Sequence, residues 1–444
     1  MSIQLSDHFT YKKLLKFTLP SIAMMIFTSI YGVVDGFFVS NFAGDIPFKA
    51  VNLIMPFLMI FGTVGFIFGT GGTAIVANIL GEGDKEKANR YFSLFVYIAF
   101  VLGILFACVG IVFIRPIAVF LGAEGELLEN CVIYGRIVLI ALPFLVWQFL
   151  FQSFFVAAEK PKMGLFVIVA AGVTNMVFDA LLVTTLPQEY RLIGAAIATA
   201  TSQFVGGFVP FIYFSRKNTS LFRLGKTRFD LRAIGKACVN GSSEFMSNVS
   251  MSIIGMLYNI QLLKYAGEDG IAAYGVMMYV SFIFAAVFIG YSIGTAPIIS
   301  YHNGACNHKE LKGILKKSLT LLGLGGLLML AVAQLFARPL AMIFVSYSES
   351  LTEMTVHGFR IFACSFVFMG FAIFGSGFFT ALNDGLTSAL ISFLRSLVFQ
   401  IGAVLILPTF MDIDGVWISV VIADFMAMSL SFLFMAIKKK RYHY

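Results

Sequence analysis

Twelve apolar stretches recur along this chain, each long enough to cross a lipid bilayer. A helix needs roughly 20 apolar residues to span the hydrocarbon. The stretches lie near 15–40, 51–80, 92–114, 131–157, 163–187, 192–214, 237–263, 271–301, 318–337, 356–382, 386–409 and 415–437. Lipid offers peptide groups no hydrogen-bond partners, so runs of this kind form helices. Of the 444 residues, 59% are hydrophobic and 12% charged, against about 25% charged in soluble domains. No water-soluble core could hide so much apolar surface. The expected fold is all-α and polytopic, with twelve transmembrane helices.

The first stretch is too long for a cleaved leader and shows no small-residue cleavage site, so it should remain as a helix. The five Cys include no Cys-x-x-Cys pair. They suggest neither a disulfide framework nor a zinc site, and no bound metal is expected.

Basic residues set the orientation. Twenty-three of the 31 Lys and Arg fall on the side of the N-terminus, seven on the other side, and Arg395 lies inside a span. Positively charged loops stay in the cytoplasm. Both termini are therefore expected there, in a multi-pass protein of the bacterial inner membrane. The net charge of +8 then reflects topology, and no nucleic-acid partner is expected.

The stretches also repeat. "GTAIVANILGEGDKEKA" from Gly72 resembles "GTAPIISYHNGACNHKEL" from Gly294, and "RPIAVF" from Arg115 resembles "RPLAMI" from Arg338. "SFFVAA" from Ser153 resembles "GFFTAL" from Gly377, and Gly194 corresponds to Gly415. The offsets fall between 221 and 224 residues. Six spans per half put both halves in the same orientation, related by a pseudo-two-fold along the membrane normal. The expected units are a first six-helix lobe (1–215), a basic cytoplasmic linker (216–236) and a second six-helix lobe (237–444). Two equal lobes around a midline cavity are the usual build of an alternating-access transporter. No HExxH, Walker loop, nucleophile elbow or Asp-rich motif supports an enzyme. The Gly-rich "GTGGT" at 69–73 opens no strand–helix unit and reads as close helix packing.

Four acids fall within spans: Asp35, Asp179, Glu244 and Asp424. At 1.5 Å per residue, Asp35 lies roughly 8 Å from the outer end of its span, Asp179 roughly 12 Å and Thr199 roughly 11 Å. Asn175 precedes Asp179 by four and shares its helix face. These four can meet at one depth. Two adjacent carboxylates cannot both ionise cheaply in a low dielectric, so the pair can take up and release a proton. With amide and hydroxyl oxygens added, it could hold a small monovalent cation instead. The plainer alternative is a polar knot joining spans 1, 5 and 6, although ionisable groups inside membranes are usually functional.

Arg395 and Asp424, near the middle of adjacent spans, most simply form a structural ion pair. Glu244 could line the inner mouth of a cavity or cap its helix. Gln148 and Gln152, one turn apart, suit a cavity wall or an interhelical hydrogen bond. Most of the 50 Phe suit lipid contact and helix packing, and none is singled out.

Five stretches, in order, carry a family resemblance: "TLPSIAMMIFTSIYGVVDGFFVSNFAG"; "GEGDKEKA"; "NMVFDALL" followed by "GAAIATATSQ"; "ISFLR"; and "DGVWISVVIAD". Together they resemble the multidrug and toxic compound extrusion (MATE) family, in its MepA-like bacterial branch. The resemblance implies a twelve-helix antiporter that expels amphipathic organic cations, driven by H+ or Na+, with no other cofactor. A monomer is expected. It implies that Asp35, Asn175, Asp179 and Thr199 form the cation-coupling site, and that Pro20 allows helix 1 to bend. This chain lacks the acid that one branch carries in helix 10, and Glu244 does not clearly match that branch's helix 7 acid. The alternative is a flippase for lipid-linked saccharides. Its cavity should hold several basic residues for pyrophosphate, and here Arg395 stands alone within the spans.

Overall fold

The computed structural model describes residues 3–345 and 348–444, and no strand occurs among them. Among the described residues, eleven helices are long and apolar enough to cross a membrane. We label them α1 (Tyr11–Ala43), α2 (Asp45–Gly81), α3 (Lys85–Phe120), α4 (Gly125–Ala157), α5 (Pro161–Val183) and α6 (Gln188–Ser215). The seventh, Leu231–Gly304, runs for 74 residues but breaks at Gly267, where φ is 65° and ψ −153°. Glycine adopts that backbone without steric cost. The break divides it into α7 (231–266) and α8 (268–304). The others are α9 (His308–Ile343), α10 (Glu349–Ala381), α11 (Gly385–Ile406) and α12 (Pro408–Tyr442). The twelve expected spans are thus all present. They extend beyond the apolar stretches because polar turns outside the hydrocarbon continue the helices.

Local chemistry starts these helices where they start. Thr10, Asp84, Asp230, Ser348 and Asp384 each accept a backbone N–H from the first turn of the helix they precede. Such caps satisfy donors with no intrahelical partner. Asp384 also holds the C-terminus: Lys438 Nζ lies 2.7 Å from its carboxylate and the Tyr442 hydroxyl 3.0 Å. Burial pushes the Asp384 carboxyl up, but the hydrogen bonds from Lys438, Thr387 and Tyr442 outweigh it and hold the group below its usual value.

Two large hydrophobic clusters fill the molecule. One is built from residues between Val39 and Ala237. The other runs from Ile254 to Tyr444 and takes in Leu5, Phe9, Leu14, Phe17 and Val156. The start of α1 therefore packs with the second half of the chain, and its end with the first.

Glycines bring the two halves into contact. A Cβ on Gly71 would lie 2.3 Å from the Ala237 carbonyl oxygen, and one on Gly241 would lie 2.2 Å from that of Ile67. Gly81 and Gly304 come equally close to the Tyr301 and Asn78 carbonyls, each at 2.0 Å. A Cβ on Gly290 would lie 2.5 Å from the Ile22 Cα and 2.7 Å from the Ser21 carbonyl oxygen of α1. The stretch at 69–73 is close helix packing, as its composition suggests. All these approaches lie in the half of each helix nearest the termini, so the halves are shut against each other at that end.

The N-terminal segment straddles the closed end. Leu5 N–H donates to Glu159 Oε1 at 2.7 Å, in the turn between α4 and α5. Four residues later Phe9 N–H donates to Glu310 Oε1 at 2.8 Å, in the first turn of α9. Leu5 and Phe9 are buried. Burial pushes the Glu159 carboxyl up, against the pull of the Leu5 N–H.

Two outcomes test this packing. Gly304→Ala should cost about 1–3 kcal/mol by overpacking, because a backbone oxygen cannot move aside. Gly402→Ala, with nothing within 4 Å of its Cβ position, should be neutral or stabilising by up to about 1 kcal/mol; thermal melts in detergent compare the two. Lys438→Met should lower stability by about 1 kcal/mol at neutral pH. That difference should vanish as pH falls through the depressed Asp384 value, because the neutral acid no longer needs the lysine.

Candidate functional site

Three helices of the first half converge on Asp35. Asn175 Nδ2, from α5, donates to Asp35 Oδ1 at 3.3 Å. Thr199 Oγ1, from α6, approaches the same oxygen at 3.5 Å. The Asp179 carboxyl, one turn beyond Asn175, faces that of Asp35. Asp35 is 8% exposed and Asp179 0%. Among the described residues no donor reaches either Asp179 oxygen. Two buried carboxyls therefore face each other, with an amide and a hydroxyl on only one of them. Such a pair cannot hold two negative charges in a dry interior. Such an arrangement can take up a proton or a small cation.

Local backbone geometry aims these groups. Asp179 opens a π-helical turn, Asp179–Val183, and α1 ends in another, Val39–Ala43. Each π turn fits in an extra residue and re-aims the side chains around it. Beside the α5 turn the Thr184 and Thr185 hydroxyls donate to the Ala180 and Leu181 carbonyls. The end of α1 is held by Arg191 Nη1 on the Phe42 carbonyl at 2.7 Å and by Gln188 Nε2 on the Ala43 carbonyl at 2.7 Å. A cation at a helix C-terminus also opposes the helix dipole. These contacts lock α1 to α6 beside the acid pair. Pro20 is buried, and α1 runs unbroken through it.

Sequence reasoning passed over Tyr134. This α4 side chain is fully buried near Thr199 and the two carboxyls, and its hydroxyl has no hydrogen-bond partner among the described residues. A lone tyrosine in an apolar span carries no local signal, and only the packing of α4 on α5 and α6 reveals it. Gln148 reaches Tyr31 of α1 and packs so tightly on α6 that a Cβ on Gly206 would lie 2.5 Å from its Oε1. Gln148 and Gln152 are both buried in the first half.

A cavity of about 270 Å³ lies in the second half, lined by α7, α8, α10, α11 and α12. Neither Gln148 nor Gln152 lines it. Glu244 does, beside Tyr274, Met278, Phe282 and Met369. The capping alternative for Glu244 is corrected: Asp230 caps that helix at Leu231, and Glu244 lies more than three turns further in. Arg395 and Asp424 also line the cavity. They meet, with Arg395 Nε 3.1 Å from Asp424 Oδ1, and the aspartate is 1% exposed. Arg395 sits in another π turn, Leu394–Phe399. In the cavity wall the Ser376 hydroxyl contacts those of Ser392 at 2.8 Å and Ser388 at 2.9 Å. The Ser388 hydroxyl in turn contacts that of Thr380 at 2.7 Å. These hydroxyls tie α10 to α11.

The sequence pattern of the MatE family matches this chain twice, over residues 20–181 and again over 245–405. The chain belongs to the MatE family. The double match agrees with the internal repeat. Family members are membrane transporters, and the protein is a multi-pass membrane protein. Multidrug export protein MepA of Staphylococcus haemolyticus is 25% identical over 415 residues, covering 93% of this chain and 90% of its own. The protein of that name from Staphylococcus aureus strain MRSA252 is 23% identical over 417 residues, covering 93% and 91%. Among solved structures, the fold matches the outward-facing conformation of a multidrug resistance MATE family transporter of the MOP superfamily. The TM-score is 0.93 at 22% identity, covering 100% of this chain and 98% of that one. A MOP superfamily transporter from Pyrococcus furiosus matches with a TM-score of 0.90 at 22% identity, covering 98% of each chain.

Breaking the second-half ion pair distinguishes a structural role from a second coupling site. Arg395→Met alone should destabilise the protein by about 3–5 kcal/mol, because it strands a buried carboxylate. Adding Asp424→Leu should recover most of that loss. If transport also returns in the double variant, the pair is structural.

Proposed function

We propose that this MatE transporter exports amphipathic organic cations in exchange for H+ or Na+. The carrying observation is the buried Asp35–Asp179 pair, whose charge cannot change without a compensating ion. Asp35 and Asp179 hold the coupling ion; Asn175 and Thr199 orient the Asp35 oxygen that they contact. Pro20 removes one backbone hydrogen bond from α1, which eases bending as the pair changes charge. Its curated relatives are named multidrug export proteins, which supports drug-like substrates.

The second-half cavity suits such a ligand. Its tyrosines, phenylalanines and methionines offer adaptable apolar contact and cation–π faces. The Glu244 carboxylate forms no ion pair among the described residues and can oppose a positive charge. Arg395 is the basic residue in the wall and is already paired with Asp424. That leaves little to grip a pyrophosphate, and the flippase reading loses its anchor. The distribution of basic residues supports both termini in the cytoplasm of a bacterial cell, with the protein acting as a monomer.

Purified protein in liposomes tests the coupling. A fluorescent cation should be expelled under an imposed pH gradient or under a sodium gradient, and the gradient that works names the ion. Asp35→Asn should reduce driven efflux to background while leaving expression and folding intact. Undiminished efflux in that variant would overturn the coupling role.

A further inference from the structure

The segment between α6 and α7 is a built surface rather than a loose connection. Phe222 is buried and stacks on Phe92 of α3, with centroids 5.1 Å apart. Arg223 N–H donates to Asn89 Oδ1 at 2.9 Å, and Gly225 N–H to Ser93 Oγ at 3.1 Å. Thr227 Oγ1 donates to the Arg90 carbonyl at 2.9 Å, and Tyr97 OH to the Gly225 carbonyl at 3.3 Å. Its acid, Asp230, caps α7 and accepts from Tyr91 OH at 2.9 Å. Backbone N–H groups and Tyr91 hold that carboxyl below its usual value.

What remains outward is basic and apolar. Arg216, Lys217, Arg223, Lys226, Arg228 and Arg232 are all exposed. None forms an ion pair among the described residues. Phe229 is 71% exposed and Leu231 70%. Two observations place this surface at the membrane boundary. The α3 helix has 36 residues, about 54 Å, so its first turns must project beyond a hydrocarbon layer of about 30 Å. The segment is hydrogen-bonded to those turns, from Asn89 to Tyr97. It also lies on the lipid-facing stripe: Tyr97, Val101, Ile104 and Leu105 are exposed apolar positions on one face of α3.

We propose that residues 216–232 bind the headgroups of anionic phospholipids. Arg223, Lys226, Arg228 and Arg232 meet the phosphates and negative headgroups, while Phe229 and Leu231 enter the acyl boundary. Charge complementarity selects an anionic leaflet, and the exposed ring beside the arginines selects a membrane over a soluble acidic partner. The surface lies well apart from the acid pair and the cavity, and needs neither to function.

The full-length protein is tested in nanodiscs of phosphatidylcholine with and without phosphatidylglycerol. Phosphatidylglycerol should raise the thermal midpoint of the wild type, and added salt should reduce that gain. The triple variant Arg223→Gln/Lys226→Gln/Arg228→Gln should melt like the wild type in pure phosphatidylcholine and lose the gain. Its affinity for the first bound phosphatidylglycerol, read by native mass spectrometry, should fall at least about tenfold. A polarity-sensitive probe on Phe229→Cys should be quenched by brominated acyl chains. A triple variant that keeps the full response to phosphatidylglycerol overturns the proposal, as does a probe at 229 that brominated lipid leaves unquenched.

Discussion

A peptide group inside lipid has no solvent to bond with, and the rest of this structure follows from that. Each backbone N–H and C=O must find a partner within its own helix or from a nearby side chain. Several departures from regular helix have a compensating group beside them. Thr184 and Thr185 take up carbonyls beside the α5 π turn. Arg191 and Gln188 take up those at the end of α1. The break at Gly267 falls at the end of two spans, where the chain turns back. The Asp35–Asp179 pair lies beside two π turns, Val39–Ala43 and Asp179–Val183.

The same scarcity of partners gives the charged groups their weight. Arg395 and Asp424 satisfy each other. Asp35 has two donors, and Asp179 has only the facing carboxyl. The two halves thus treat buried charge differently. One keeps a closed ion pair on a cavity wall; the other keeps two facing carboxyls with no basic partner among the described residues. The halves meet through backbone-to-backbone approaches at glycine, near the termini. At those points no side chain larger than hydrogen fits between the two halves.

Much of the architecture was legible in the residues. Spans of the right length, one offset serving four separated motifs, and the bias of basic residues gave twelve helices in two like-oriented halves. Helical periodicity put Asn175 and Asp179 on one face, and the depth of Asp35 put it level with them. Tyr134 was not legible, because a single tyrosine in a greasy helix looks like any other. The hydroxyl chain from Ser392 to Thr380 was equally hidden, since its members belong to different helices and form no motif. Glu244 was ambiguous until the start of α7 was known.

Sequence by itself determined that the chain crosses a membrane twelve times, that its halves are copies, and that a few carboxylates lie at mid-depth. These properties depend on local quantities: apolar length, charge spacing and helical rise. Only the tertiary structure decided which of the buried acids face each other, which is neutralised by an arginine, and which looks into a cavity. It also showed that the start of α1 packs with the opposite half, and that glycines close one end. Those outcomes depend on how helices rotate and slide as they pack, and π turns shift that register by amounts that no single-helix pattern records.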